Sequence, residues 1–463
     1  MLLLFTGSIA QAQQVELIGN VLNLPVVTIG QQAFRVDLTI VDGSDPLQLV
    51  LAGAEELTDA NTDGASSFDG ATLSVPDINV GGVSYWADFS LLSDNPVSFV
   101  LAAGGVIDAP VADEPVVASC TRPEPDLTNG PDNPAVNGGF TVDPSLIRDG
   151  GPGADGIPPL ESPVFTQSFD LTNIAPGELV VGVKIGDDVR AYPHNILNWH
   201  EVVNDQFMIN GQNERVTLSY CPFTGSAMLW KAFMGAADQT FGTSGLLFDS
   251  NLILYDRETL SLWVQMLEQS IAGDAVLRIP DKLQVVETTW ATWLRMYPET
   301  ILMTEDTGFS RPYDVYPYGS FRTDISLIFT LSNLEDDRLH RKTRVLGINV
   351  GRKSKVYPID TFAAGVSVVN DTVGSMDVIA AGSSAQNFAV VFNRQLEDCT
   401  TLDFTAVQDS LPVVMVDNEG TEWDVFGNAV AGPRTGTTLQ KTNSFLAYWV
   451  AWTSFFPGAK IQP

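Results

Sequence analysis

The feature that most constrains this chain is a repeat: after about residue 164 it passes through one ordered set of landmarks twice. The first pass has Tyr192-Pro193, then Val202-Val203-Asn204-Asp205, then Asp256, Trp263 and Ile271-Ala272-Gly273. The second has Tyr357-Pro358, then Val368-Val369-Asn370-Asp371, then Asp417, Trp423 and Val430-Ala431-Gly432. Each pass closes on aromatics three and four residues apart with a proline behind them: Trp290, Trp293, Tyr297, Pro298 and Trp449, Trp452, Phe456, Pro457. That spacing places the rings on one helical face, and the proline ends the helix. Short β-prone runs fill the intervals, among them Leu179–Ile185, Val202–Ile209 and Val216–Cys221, where Val, Leu and Tyr alternate onto one face. Pro193–His200 reads as one or two helical turns with Pro193 at the first position. The expected class is mainly β (α+β): two homologous β-rich halves with short helices, packed about a pseudo-two-fold axis.

The 463 residues leave room for more than this pair. Residues 13–115 carry short β-prone runs broken by Gly, Asn and Asp, and read as a separate small β-sandwich able to bind a protein partner. Residues 116–163 are rich in Pro, Gly and Asp; they form a linker whose Gly150–Pro158 end wraps onto the next domain as an ordered arm. Copy one is then 164–310, a connector spans 311–344, and copy two is 345–463. Residues 1–12, MLLLFTGSIAQA, resemble the end of a secretory signal, with an apolar run and a small-x-small Ala10-Gln11-Ala12. Export to the periplasm or beyond is the expectation, and beyond this point no run of about 18 apolar residues predicts membrane insertion.

Charge narrows the partners. Acidic residues number 56 against 24 basic, for a net charge of −32. Such a surface repels phosphate backbones and anionic lipid, which sets nucleic acid aside and leaves a small molecule or metal ion. Of the three cysteines, Cys120 and Cys399 lie in polar surroundings and form the expected disulfide, leaving Cys221 as the free thiol.

The duplication also serves as an internal control. Landmarks shared by the copies are scaffold; residues present in one copy are candidates for function. His194 faces Ile359 in copy two, His200 falls near Ala364 or Gly365, and Cys221 falls opposite Ala380-Ala381-Gly382. Imidazole and thiolate are good ligands for copper and zinc. The same groups can serve as nucleophile and base. On a helix, however, residues six apart point about 120° from each other, so His194 and His200 would not share a face. The plainer alternatives stand beside these: a buried His200 bonded to a backbone carbonyl, a Cys221 that only fills the core, and an Asp256 that caps a turn. His340 reads as part of a solvated face.

The string Val189-Arg190-Ala191-Tyr192-Pro193-His194 through Trp199-His200-Glu201-Val202-Val203-Asn204-Asp205 resembles the bacterial domain of unknown function 3179 family (DUF3179). The resemblance continues in Tyr220-Cys221-Pro222-Phe223-Thr224-Gly225-Ser226-Ala227 and in Tyr255-Asp256-Arg257-Glu258-Thr259 with Ser261, Trp263 and Gln265. It covers roughly residues 144–463. The chain departs from the family at Phe223, where Leu is frequent, and near Leu267-Glu268, where Gly is common. The resemblance implies the domain and carries no settled activity.

Three functional readings stand open. The first is an exported metal-binding protein, a copper (second choice zinc) redox enzyme with His194, His200 and Cys221 as ligands. The second is a cofactor-free acyl-transfer enzyme with Cys221 as nucleophile, His200 as base, and Glu201 or Asp256 orienting it. The third is a binding or structural module without chemistry. Arg190, Tyr220, Ser261 and Gln265 are the expected supporting residues around the site.

Overall fold

The computed structural model describes residues 15–107 as eight strands without their connections, and then 140–462 apart from 168–173, 210 and 232–238. The signal-like residues 1–12 and Cys120 lie outside the described residues. The chain divides into two compact units, Met1–Val116 and Val117–Pro463. It is mainly β, with three short α-helices among the described residues.

The first unit contains β1 (Val15–Ile18), β2 (Val21–Ile29), β3 (Gln32–Ile40), β4 (Gln48–Leu57), β5 (Ser66–Phe68), β6 (Thr72–Val80), β7 (Val83–Asp94) and β8 (Val97–Ile107). They run in the order β1-β2-β3-β4-β8-β7-β6-β5, and parallel pairings β1–β6 and β2–β5 join the two ends. The two faces of the expected sandwich are thus parts of one closed sheet, which leaves few unpaired edges. Leu24, Leu38, Leu49, Val75 and Phe89 alternate inward to form its core.

The second unit is built twice over. In copy one Val286–Thr289, Leu179–Ile185, Asp188–Pro193 and Ile301–Met303 form a sheet; in copy two Asn443–Tyr448, Arg344–Val350, Lys353–Pro358 and Lys460–Ile461 repeat it, down to the parallel last strand. A second sheet, Val202–Ile209, Gln212–Cys221, Ser226–Lys231 and Lys282–Leu283, matches Ser367–Val373, Met376–Ser383, Phe388–Asn393 and Gln440–Lys441. A third, Phe241–Phe248 to Gln269–Ala272, matches Phe404–Ala406 to Ala429–Ala431. Strand Ile147–Asp149 adds to the third sheet of copy one. The helices are α1 (His194–His200), α2 (Trp290–Met296) and α3 (Trp449–Phe455). Pro193 is the N-cap of α1, one position earlier than expected.

The shared landmarks are structural. Asp256 and Asp417 each accept a 2.9 Å hydrogen bond from an indole N–H, of Trp263 and Trp423 respectively. Tyr192 donates to Asp205 at 2.6 Å and Tyr357 to Asp371 at 2.7 Å. Asn204 and Asn370 each bridge to the start of the next sheet through both amide atoms, to Phe241 and Phe404. Gly182 and Gly347 lie flat beneath Trp293 and Trp452, whose rings fill the space of a side chain.

The copies pack reciprocally. The first sheet of copy one, with Val180, Ala191 and Trp293, shares a core with Ile379, Val390 and Trp423 of copy two. The first sheet of copy two, with Val345, Trp449 and Trp452, shares one with Met228, Trp230 and Trp263 of copy one. Each half therefore buries its aromatic helix on the other half, and neither core is complete alone.

Strand register corrects one pairing. Asn204 pairs with Thr217 and Asn370 with Ile379, so the counterpart of Cys221 is Ser383, and Ala380-Ala381-Gly382 face Leu218-Ser219-Tyr220. The hairpin of copy one extends from Asn204 to Ile209, whereas that of copy two extends only from Asn370 to Val373. Counting along the sequence without that shorter turn misplaces the thiol.

Candidate functional site

Helix α1 sets the site. It ends at Glu201, whose N–H closes on Leu197 O at 2.8 Å while its backbone adopts φ +60°. An L-residue held there costs about 1–3 kcal/mol, so the surrounding structure must enforce it. The Glu201 carbonyl accepts the Tyr220 N–H at 2.7 Å, which ties the helix end to the strand carrying Cys221. The glutamate side chain is turned inward and only 4% exposed.

Cys221 opens a tight hairpin. Gly225 N–H bonds Cys221 O at 2.8 Å with φ +61° at the glycine, and a Cβ there would meet the Tyr448 ring at 2.8 Å. Beneath the turn lies a buried polar network: Ser226 and Asn251 donate to Gln265 Oε1 at 2.7 and 2.9 Å, and Gln265 Nε2 donates to Ser219 at 3.0 Å. Asn251 also donates to Thr224 Oγ1 at 3.0 Å. Every member is satisfied, which makes the turn stiff. The thiol donates to Ser250 O at 3.7 Å, while the Thr224 hydroxyl and backbone N–H and the Leu252 N–H favour its anion.

The connector forms the roof. Tyr318 donates to Glu201 Oε1 at 3.5 Å. Phe223 packs edge-on against Tyr318, Phe321 and Phe329, with centroids 4.7, 5.5 and 5.5 Å away. The family departure at Phe223 is thus part of the roof. The other departure falls where Glu268 holds φ +52°, a conformation that suits glycine.

Burial dominates the electrostatics. Glu201 is pushed up to about 8 by desolvation, against a smaller opposing effect of the Tyr318 hydroxyl. Burial and then the neighbouring Glu201 raise Cys221 to about 11. Both are neutral near pH 7, and they stand close enough to act on each other.

The expected residues do not gather as one set. His194, 2% exposed, has Nε2 3.1 Å from Glu287 Oε2 and its ring 4.4 Å from Tyr220; Nδ1 has no hydrogen-bond partner. Burial lowers its pKa more than Glu287 raises it. Glu287 in turn meets Arg344 at 3.3 Å. His200 leaves the opposite face of α1, with Nδ1 2.7 Å from Pro158 O on the arm and Nε2 2.6 Å from Tyr313 Oη. Both its nitrogens are taken, as in the plainer alternative of a histidine bonded to a carbonyl. Asp256 caps a turn through Thr259 N–H at 2.6 Å, and Ser261 joins the same turn. Arg190 pairs with Asp188 and Asp205, a role that Lys355 repeats on Asp371 in copy two. Gln265 lies in the network beneath the Cys221 turn, and the Tyr220 N–H bonds the Glu201 carbonyl. Among the described residues no three His, Cys, Asp or Glu side chains are gathered as metal ligands.

Sequence reasoning missed Tyr316, Tyr318 and Arg322 of the connector, and Glu287, Arg344 and Tyr448. A signal was present for some of them. In register, Glu287 corresponds to Leu446 and Arg344 to Leu179, so each is charged in one copy only. The connector string Arg311-Pro312-Tyr313 to Tyr316-Pro317-Tyr318-Gly319-Ser320-Phe321-Arg322 is dense in Tyr and Arg for a linker.

No match is found among curated proteins, and none among solved structures. A family model described as "Protein of unknown function (DUF3179)" matches residues 154–459, which take in the roof and nearly all of the duplicated unit, and the chain belongs to that family.

Proposed function

We propose that the protein is an acyl-transfer-type enzyme of small molecules, with Cys221 as nucleophile and Glu201, in place of His200, as its proton partner. The observation that carries this reading is the buried Glu201 carboxyl, held by a strained backbone and without a cation pairing to it among the described residues, whose charge reaches the Cys221 thiol through space. Strain and a displaced pKa at one buried residue are the marks of a site held for chemistry. Above about pH 8 the ionised carboxylate takes the thiol proton as sulfur bonds the acyl carbon, and returns it to the leaving group as that group's bond to the acyl carbon breaks. The gap from about 11 to about 8 makes that transfer uphill by roughly 4 kcal/mol. The donors around the sulfur lower the cost of its anion. An exported setting is part of the same reading: Cys399 is disulfide-bonded while Cys221 is a free, buried thiol.

The test is acetylation by p-nitrophenyl acetate. The expected results are an S-acetyl group on Cys221 by mass spectrometry, loss of nitrophenol release in Cys221→Ser, and slower release in Glu201→Gln. An unmodified Cys221, or equal rates in Glu201→Gln, would exclude the pair as the reacting groups.

A further inference from the structure

Beside helix α1 lies an open cleft of about 240 Å³, and both signs of charge line it. Arg322 supplies the positive charge. Its Nη2 donates to Asn198 Oδ1 at 3.0 Å, and its guanidinium carbon lies 4.1 Å from the centre of the Tyr316 ring. Both partners are neutral, and among the described residues no carboxylate comes within ion-pair distance of this guanidinium. Glu178, Asp314 and Asn195 line it too. Glu178 acts on Arg322 only through space. A guanidinium that is mostly withdrawn from water and held by an amide and a ring is a fork without its anion.

We infer that this cleft binds a small zwitterion, its carboxylate on Arg322 and its cationic nitrogen on Glu178. The volume decides the size class. It falls below the roughly 300–1,000 Å³ of pockets for drug-sized ligands, and suits a molecule the size of an amino acid. A simple carboxylate would satisfy Arg322 but meet Glu178 and Asp314 as like charges; a simple amine would meet Arg322. Tyr316 adds a ring face, and Asn195 and Asn198 add neutral hydrogen-bonding groups. Arg322 also acts through space on Tyr220, the residue before Cys221, and on Tyr448. The inference names a substrate class for the proposed site and rests on that reading for its chemistry, while the binding itself stands on the cleft.

Calorimetry on the whole chain separates the two. The probes are L-alanine, L-proline and glycine betaine, with propionate and ethylamine as the matching single-charge compounds. At least one zwitterion binds at millimolar concentration, and tighter than propionate or ethylamine. Arg322→Gln weakens it by about tenfold or more, Arg322→Lys restores part of the loss, and Glu178→Gln narrows the gap between L-alanine and propionate. Thermal melts of each variant report folding separately. Cys221→Ser binds as the parent does, so an inert thiol with intact binding would overturn the chemistry and leave the cleft. No zwitterion binding in the folded parent, or affinities for propionate and ethylamine equal to those of the zwitterions, would overturn the cleft assignment.

Discussion

The Tyr318 hydroxyl stands 3.5 Å from the Glu201 carboxyl, roofing a buried acid whose backbone is held at φ +60°. Desolvation lifts this carboxyl from the usual 4.5 to about 8. Between those pH values the folded chain keeps a proton that the unfolded chain has released. Stability therefore falls as pH rises through that window, by on the order of 5 kcal/mol in all. Urea denaturation across the window should show this slope, and Glu201→Gln should flatten it and be more stable than the parent at its upper end.

The thiol should be slow to react. Cys221 is 1% exposed and raised to about 11, so iodoacetamide labelling of the folded chain should lag far behind that of free cysteine. Glu201 contributes to that rise, so Glu201→Gln should label Cys221 at lower pH than the parent does. The same variant loses turnover, because the proton acceptor is gone. Faster labelling with slower catalysis is a pairing that simple loosening of the fold does not produce.

Lys342 gives the opposite pH signature. Its ammonium is 7% exposed, lies 2.9 Å from the centre of the Phe321 ring and has no hydrogen-bond partner. Burial lowers it from 10.5 to about 7. Between these values the unfolded chain holds a proton that the folded chain lacks, so stability rises with pH through that window. Lys342→Met should remove this slope and raise the melting temperature near pH 7, by circular dichroism.

The two halves should answer alike to one change. A Cβ on Gly182 would meet the Trp293 ring at 2.3 Å, and one on Gly347 would meet Trp452 at 2.1 Å. Gly182→Ala and Gly347→Ala should each cost about 1–3 kcal/mol by chemical denaturation. Because each aromatic helix packs into the core of the other half, loss in one copy should unfold both in a single transition.

The fold was legible because its landmarks repeat. The Tyr-Pro, Val-Val-Asn-Asp and Asp-to-Trp elements mark corresponding strands, and the aromatic spacing located α2 and α3. The six-residue separation of His194 and His200 also told correctly: α1 sends them to different partners, Glu287 and Pro158. What the sequence hid was long range. Tyr318 and Glu201 are 117 residues apart, and Arg322 and Asn198 are 124 apart, within a roof that follows no period. A carbonyl partner for His200 stood among the sequence alternatives, but nothing marked it as Pro158 on the arm or put Tyr313 on the other nitrogen. Glu201 was visible only as an orienting acid, because its strain and burial arise from the turn after α1.

The protonation state of Glu201 tests the central claim most directly. Infrared difference spectra of the parent against Glu201→Gln isolate one carboxyl group. A carboxylic C=O band present near neutral pH, fading with a midpoint of about 8 and shifted when Tyr318 is changed to Phe, is the predicted result. A carboxylate signature for Glu201 already at mildly acid pH would contradict it, and with it the pairing of Glu201 and Cys221 as proton partners.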